Sequence, residues 1–155
     1  MKFAQVPGNR KAISKLIRSV SEGRIAHSQL FSGQEGSGSL LLALAYASFL
    51  NCENRISNTD YSEIPMDSCG ECASCRKIDK LEHPDLHFLF PIVKADKKEL
   101  SRDFFNEWRE YIQNKKGVIS LNSWYNHINV ENKQGIISAK DINDILSRLH
   151  YKNYE

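Results

Sequence analysis

The sequence has no cysteine outside residues 52–75, no strong excess of charge of either sign and no apolar run long enough to cross a membrane. The 21 basic and 19 acidic residues give a formal net charge of +2, too small by itself to indicate a nucleic-acid-binding face. The longest apolar run, 40–50, is well short of the about 20 residues that span a bilayer. The amino-terminal residues also have no apolar signal core. We therefore expect a soluble, cytoplasmic protein with no membrane partner.

The length and composition indicate one globular domain. A chain of 155 residues with 41% hydrophobic content can bury a sizeable core, but it is too short for two full domains. An amphipathic pattern predicts a helix over about 9–23, and a segment that is apolar on most sides predicts a buried helix from Ser39 to about Leu50. Two more helices are predicted, one over about 97–113 and one after a capping box formed by Ser138 and Asp141.

Two short segments have the pattern of β-strands. Residues 28–32 run directly into a glycine-rich loop, and residues 86–90 follow a proline that breaks the preceding helix. Because these candidate strands alternate with predicted helices, we expect an α/β fold with a few parallel strands and several helices.

The cysteines form a pattern typical of a metal site. Cys69, Cys72 and Cys75 are each separated by two residues, and in a reducing compartment this spacing favours metal ligation over disulfides. The fourth ligand of a tetrahedral site would be Cys52, with His83 as the alternative. An iron–sulfur cluster is the competing interpretation, but Asp79 stands where the next ligand of such a motif would be. We favour a structural zinc ion with four protein ligands and no open position.

The glycine loop has the spacing of a phosphate loop without its chemistry. The degenerate phosphate loop consists of Gly33, Gly36, Gly38, Ser39 and Leu40. Ser39 stands where the phosphate-binding lysine would be, and Leu40 replaces the hydroxyl that holds Mg²⁺. No lysine occurs between Lys15 and Lys77, so a shifted register does not restore the charge. The alternative interpretation is a tight strand-to-helix turn with no ligand.

Three motifs in this order resemble the amino-terminal part of the bacterial DNA polymerase III clamp-loader subunits, the gamma/tau and delta prime proteins. Residues 24–33, RIAHSQLFSG, look like their entry to the phosphate loop, and residues 69–75, CGECASC, look like their zinc module. The third motif, HPDL at 83–86, is similar to the opening of one of their strands. The resemblance extends from about residue 6 to 91 and returns weakly over 137–149.

The resemblance implies a partial P-loop NTPase-like (AAA+) domain with a zinc-binding insertion at 51–77. Gamma/tau keeps the lysine and threonine of the loop and hydrolyses ATP, whereas delta prime commonly lacks a functional site. The loop of this chain resembles delta prime, which implies a non-catalytic subunit of a complex with DNA-directed DNA polymerase activity. The expected cofactor is structural zinc, and no functional ATP site is expected. The implied partners are the other clamp-loader subunits, with DNA or the sliding clamp reached through the assembled complex.

The sequence departs from the family pattern in two ways. Residues 94–134 do not match it and are expected to be a lineage-specific insertion. The apolar Asp-Glu strand and the Ser-Arg-Cys segment of the family are not found, so we expect a fragment without the oligomerisation collar. Two alternatives remain: an ATP-binding gamma/tau-type subunit and a zinc-stapled nucleic-acid-binding module. The small net charge argues against the second.

Overall fold

The computed structural model describes residues 1–57, 64–94, 97–115, 119–130 and 133–149. The chain forms two compact units, Met1–His83 and Pro84–Glu155. Within the described residues, no helix combines the length and the apolar character needed to span a bilayer. The boundaries predicted for the insertions at 51–77 and 94–134 stay predictions.

The core of the first unit is built from a short 3-10 helix and two α-helices. The 3-10 helix is Phe3–Gln5, α1 is Arg10–Ser21 and α2 is Ser39–Leu50. Helix α1 buries one stripe, whereas α2 is apolar around most of its circumference and is covered on several sides. The buried residues of this core are Phe3, Val6, Ile13, Ile17, Leu41, Leu42, Ala45, Tyr46 and Phe49.

A small β-hairpin and a third helix follow α2. Strands β1 (Ile56–Ser57) and β2 (Met66–Asp67) pair antiparallel, with Ile56 opposite Asp67. Helix α3 is Ala73–Asp79, and it contacts α2. The hairpin lies within the segment 51–77 that the sequence predicts to be an insertion, and α3 begins in this segment and ends two residues beyond it.

The predicted parallel strands are wrong for the described residues, where the only sheet is the antiparallel β1–β2 pair. Residues 28–32 and 86–90 belong to no strand. An apolar pattern predicts which side chains become buried, but a strand also needs a hydrogen-bonded neighbour. In the first segment Gln29 and Phe31 contact Tyr46 of α2, through a 3.0 Å hydrogen bond and a ring contact, while Leu30 is 90% exposed. The mixed helices and small sheet are compatible with the α/β class.

The second unit contains a 3-10 helix, Ser101–Phe104, and three α-helices: α4 (Phe105–Lys115), α5 (Leu121–His127) and α6 (Ala139–Leu149). Its core is aromatic. The ring of Phe90 stacks on Trp108 at a centroid distance of 4.3 Å, and Trp124 meets both rings edge-on. An isolated antiparallel bridge joins Ile92 to Ile136.

The capping box predicted before α6 is confirmed. The backbone N–H of Ser138 donates to the Asp141 carboxylate at 2.8 Å, and the Asp141 N–H donates to Ser138 Oγ at 3.3 Å. The apolar stripe of this helix is only partly covered, because Ile142, Leu146 and Leu149 remain about half exposed. The buried residue of α6 is Asp141.

Candidate metal centre and glycine loop

Three elements bring the four cysteines together. Cys52 lies just beyond α2, Cys69 lies just beyond β2, Cys72 caps the amino terminus of α3 and Cys75 lies inside that helix. Their Sγ atoms all lie within 4.8 Å of one another, and no disulfide joins them. Cys69 Sγ is 3.6 Å from Cys52 Sγ and 3.9 Å from Cys75 Sγ. The structure therefore places the four predicted ligands in one cluster.

The dimensions of the cluster fit a tetrahedral thiolate site. With Zn–S bonds of about 2.3 Å, the sulfur atoms of a tetrahedron lie about 3.8 Å apart. The two distances from Cys69 Sγ, 3.6 Å and 3.9 Å, bracket this value. Four soft ligands also leave no position for a substrate or a water molecule, as in structural zinc sites. The donor set thus fits a zinc ion with a structural role.

Backbone amides surround the sulfur atoms. The N–H groups of Glu71 and Cys72 donate to Cys69 Sγ at 3.4 Å and 3.3 Å. The Cys75 N–H donates to Cys72 Sγ at 3.4 Å, and the Cys69 N–H donates to Cys52 Sγ at 3.2 Å. The turn between Cys69 and Cys72 needs Gly70, whose φ of +80° is strained for residues with a side chain. These N–H groups stabilise negative charge on the sulfur atoms.

The surroundings of Cys69, Cys75 and Cys52 shift the pKa values of these thiols in different directions. Hydrogen bonds from the backbone of Cys72 and Glu71 lower the pKa of Cys69 to about 6. Burial raises the pKa of Cys75 to about 12, and burial also raises the pKa of Cys52. A bound cation would displace the protons of the buried thiols, since metal ligation requires the thiolate form.

His83, the alternative ligand, lies outside the sulfur cluster. Its Nε2 is 3.0 Å from Ser74 Oγ, so the buried imidazole contacts α3 between two of the cysteines. The Ser74 N–H in turn is 3.4 Å from a carboxylate oxygen of Glu53, the neighbour of Cys52. These contacts connect the segments that carry the cysteines, and they leave Cys52 as the fourth member of the set.

The glycine loop leads into the amino terminus of α2. Gly38 caps this helix with a φ of +78°, Gly36 also has a positive φ, and Ser39 is the first helical residue. No side chain caps the first N–H groups of α2. Asn9, next to α1, donates from Nδ2 to the Ser37 carbonyl at 2.9 Å and ties the loop to that helix. The loop therefore presents helix N–H groups as a phosphate loop does.

The charge that a nucleotide needs is not supplied by the loop itself. Residues 33–40 contain Glu35 as their one charged side chain, and it is exposed. Ser39 and Leu40 are part of the first turn of α2 and are half-buried. Helix N–H groups alone contribute about 0.3–1 kcal/mol toward an anion at an exposed site.

Two residues around the cysteines have no signal in the sequence. Asp67, the last residue of β2, and Ser68 are both buried, and both contact the amino-terminal segment. Their partners are more than 60 residues away in the chain, so no local spacing predicts the contact.

Comparison with known proteins gives one consistent family. The family described as DNA polymerase III, delta subunit, matches residues 8–155. The DNA polymerase III subunit tau of Salmonella typhimurium is 38% identical over 84 residues, which cover 54% of this chain and 12% of that protein. The DNA polymerase III subunit delta' of Bacillus subtilis is 31% identical over 98 residues, which cover 61% of this chain and 27% of that protein.

A third relative, the DNA polymerase III subunit gamma of Buchnera aphidicola, is 32% identical over 78 residues, which cover 50% of this chain and 19% of that protein. The matched part is thus between 12% and 27% of the length of these three relatives. No solved structure gives a significant match to the chain.

Proposed function

The chain belongs to the DNA polymerase III delta subunit family, and from this premise we propose that it is a non-catalytic, delta prime-type subunit of the clamp loader. In this role it helps to load the sliding clamp onto DNA during replication. Its partners are the other clamp-loader subunits, and it reaches DNA or the clamp through the assembled complex. The relatives named tau, gamma and delta' support an assembly of this kind.

The residues of the glycine loop are the main support for a non-catalytic role. The loop retains a turn with two glycines of positive φ and the uncapped amino terminus of α2. It offers Ser39 in place of the lysine and Leu40 in place of the magnesium-binding hydroxyl. A phosphoryl-transfer site works mainly by placing positive charge around the transferred group. We therefore assign the loop a structural role and no ATP hydrolysis.

The cysteine cluster has a structural role in the same proposal. Cys52, Cys69, Cys72 and Cys75 hold one zinc ion, which connects the end of α2 to the β-hairpin and α3. Among the described residues of 51–77, the buried side chains are polar or belong to cysteines, and both residues of β1 are exposed. A metal centre supplies the cross-link that a small segment cannot obtain from its own core.

Calorimetric titration with Mg-ATP tests the non-catalytic role. Without the lysine and the hydroxyl, we expect a Kd of about 1 mM or weaker. The double variant Ser39→Lys with Leu40→Thr is expected to bind Mg-ATP more tightly than the unmodified protein does. The improvement is expected to be partial, because Glu35 keeps its negative charge in the loop. Ser39→Lys alone is the matched control, since it adds the same charge without the hydroxyl.

The second candidate is an ATP-binding, gamma/tau-type subunit. Over the matched residues, this chain is 38% identical to the tau protein of Salmonella typhimurium and 31% identical to the delta' protein of Bacillus subtilis. The higher identity to tau favours this alternative. A micromolar Kd for Mg-ATP with the unmodified protein would overturn the non-catalytic role and select this candidate.

A further inference from the structure

A buried carboxylate joins the amino terminus of the chain to the cysteine cluster. Asp67 is 2% exposed. Its Oδ1 accepts from the Phe3 N–H at 2.9 Å and from the Ser68 N–H at 2.8 Å, while Oδ2 accepts from the Ala4 N–H at 3.0 Å. A buried carboxylate that loses its donors is costly, so these contacts fix the geometry of both segments.

The amino-terminal 3-10 helix, Phe3–Gln5, is thereby held on two sides. The Phe3 side chain is fully buried, and its ring lies 5.3 Å from that of Phe49 in α2. On the other side, its first two N–H groups end on Asp67. The helix therefore cannot shift without breaking either the core or the carboxylate contacts.

The same contacts continue to the sulfur atoms. Ser68 directly precedes Cys69, and its hydroxyl donates to the Met1 carbonyl at 3.2 Å. Ser48 of α2 is 3.4 Å from Ser68 Oγ and 3.8 Å from Cys75 Sγ. The side chain of Ser68, the residue before Cys69, is thus hydrogen-bonded to the amino-terminal segment and to α2.

The turn between Cys69 and Cys72 also lies against the amino-terminal segment. A Cβ atom added at Gly70 would be 2.5 Å from Lys2 Cε and 3.2 Å from Lys2 Nζ. The aliphatic stem of Lys2 therefore covers the turn closely, and its ammonium group lies beside a cluster that becomes anionic when four thiolates bind a divalent cation.

We propose that the segment 1–5, held by Asp67, is a positioning element of the metal centre, and that Asp67 is its principal positioning residue. The inference rests on the proposed zinc site. The segment fixes the backbone of Ser68 and Cys69 in the geometry that directs Cys69 Sγ at the metal. Because equilibrium coupling is reciprocal, metal binding stabilises the docked segment by the same factor by which docking strengthens metal binding.

Titration with Co²⁺, a spectroscopic substitute for zinc at tetrahedral thiolate sites, gives the first readout. Asp67→Asn keeps the size of the side chain but weakens its contacts with the two amino-terminal amides, so we expect Co²⁺ affinity to fall about tenfold or more. Glu71→Gln is the matched control. It removes the same charge between two ligands, yet Glu71 is exposed and its side chain is not part of the contact with Phe3 and Ala4.

Hydrogen exchange at the Phe3 and Ala4 amides gives the second readout. In the unmodified protein, Co²⁺ is expected to slow hydrogen exchange at these two amides. The expected slowing is about as large a factor as the loss of Co²⁺ affinity caused by Asp67→Asn. In Asp67→Asn the metal-dependent part of this protection is expected to disappear. A residue that acts only on global stability would change all buried amides of the first unit together.

The outcomes separate the two proposals. Tight Co²⁺ binding that Asp67→Asn leaves unchanged, or that Glu71→Gln weakens equally, would overturn the positioning role alone. Absence of thiolate–Co²⁺ absorption in the unmodified protein would overturn both the zinc site and this inference. If Asp67→Asn does not fold, Ser68→Ala replaces it. This substitution removes the hydroxyl contacts with the Met1 carbonyl and with Ser48 but keeps the Asp67 carboxylate, so we expect a smaller loss of affinity in the same direction.

Discussion

The two units of the chain are stabilised by different chemistry. The first unit contains all four cysteines and no tryptophan, whereas the second contains both tryptophans and no cysteine. In the first, short segments converge on a sulfur cluster. In the second, Phe90, Trp108 and Trp124 form a group of contacting rings. Side chains of this size bury enough apolar surface to hold short helices together, whereas strands β1 and β2 of the first unit contain no aromatic residue.

Each unit also contains a buried carboxylate that joins distant parts of the chain. Asp67 joins residues separated by more than 60 positions, and Asp141 accepts from the Ser101 N–H at 2.6 Å across 40 positions. Both side chains are 2% exposed. Each carboxylate accepts hydrogen bonds from backbone N–H groups at the start of a 3-10 helix. The two units therefore contain the same kind of polar contact, although their apolar cores differ.

Metal removal is expected to have the largest effect, and to change the first unit while leaving the second unit unchanged. Structural zinc contributes about 10–16 kcal/mol of apparent binding free energy in small domains, so chelation is expected to release the hairpin and α3 of the first unit. The α1–α2 core is expected to persist, because it has its own buried side chains. Proteolysis and hydrogen exchange within 51–77 would report the change.

Tryptophan fluorescence is the control for this experiment, since both tryptophans lie in the second unit. We expect the emission spectrum to stay unchanged during chelation. A red shift on chelation would show that the aromatic core depends on the metal, and loss of helix in α1 and α2 would show that the cluster stabilises the whole first unit.

Truncation of the aromatic core should have the next largest effect. Trp124 is 1% exposed, and its Nε1 donates to the Pro91 carbonyl at 2.8 Å. Trp124→Ala is expected to lower the free energy of unfolding of the second unit by about 3–5 kcal/mol, measured by urea denaturation. Leu121→Ala on the same helix is the control. Leu121 is 50% exposed, so its loss is expected to be about 0.5 kcal/mol or less. Equal effects of the two substitutions would contradict an aromatic core.

Local patterns predicted the helices well. The buried helix predicted from Ser39 to about Leu50 has these bounds in the structure. The amphipathic segment after Asn9 forms α1, and the capping box at Ser138 begins α6. These features depend on residues within a few positions of one another, so the sequence contains the information directly.

The predicted helix over 97–113 begins later than expected. Asp103 accepts from the N–H groups of Glu99 and Leu100, at 3.0 Å and 2.9 Å, and supports a 3-10 helix before α4. The sequence pattern over 118–137, the segment in which α5 forms, is ambiguous. Short helices such as Leu121–His127 gain most of their stability from tertiary contacts, which a local pattern does not describe.

The cysteine set could be proposed from spacing, while its supporting contacts could not. Three of the predicted ligands lie within seven residues, and Cys52 is the remaining cysteine. Asp67, in contrast, acts on amides of residues 3 and 4, so only the folded chain reveals the contact. The strands were predicted wrongly for the same reason, because pairing depends on which segment lies alongside.

Substitution of Asp141 is expected to have the smallest effect on stability. It tests whether the second unit depends on the hydrogen bonds of this carboxylate as well as on its aromatic core. Burial alone would raise the pKa of this carboxyl group, but hydrogen bonds from Ser138 and Ser101 outweigh it and hold the pKa below its usual range. The contact therefore stabilises the fold above the unfolded-state pKa of about 3.9, and this stability is lost as the pH falls through the folded-state pKa. Asp141→Asn is expected to cost about 1–3 kcal/mol at pH 7 and progressively less under acidic conditions. Urea denaturation across this pH range, with Glu110→Gln on the exposed face of α4 as the control, measures the difference. A cost that stays constant with pH would show that the charge of the Asp141 carboxylate does not contribute to the stability of the second unit.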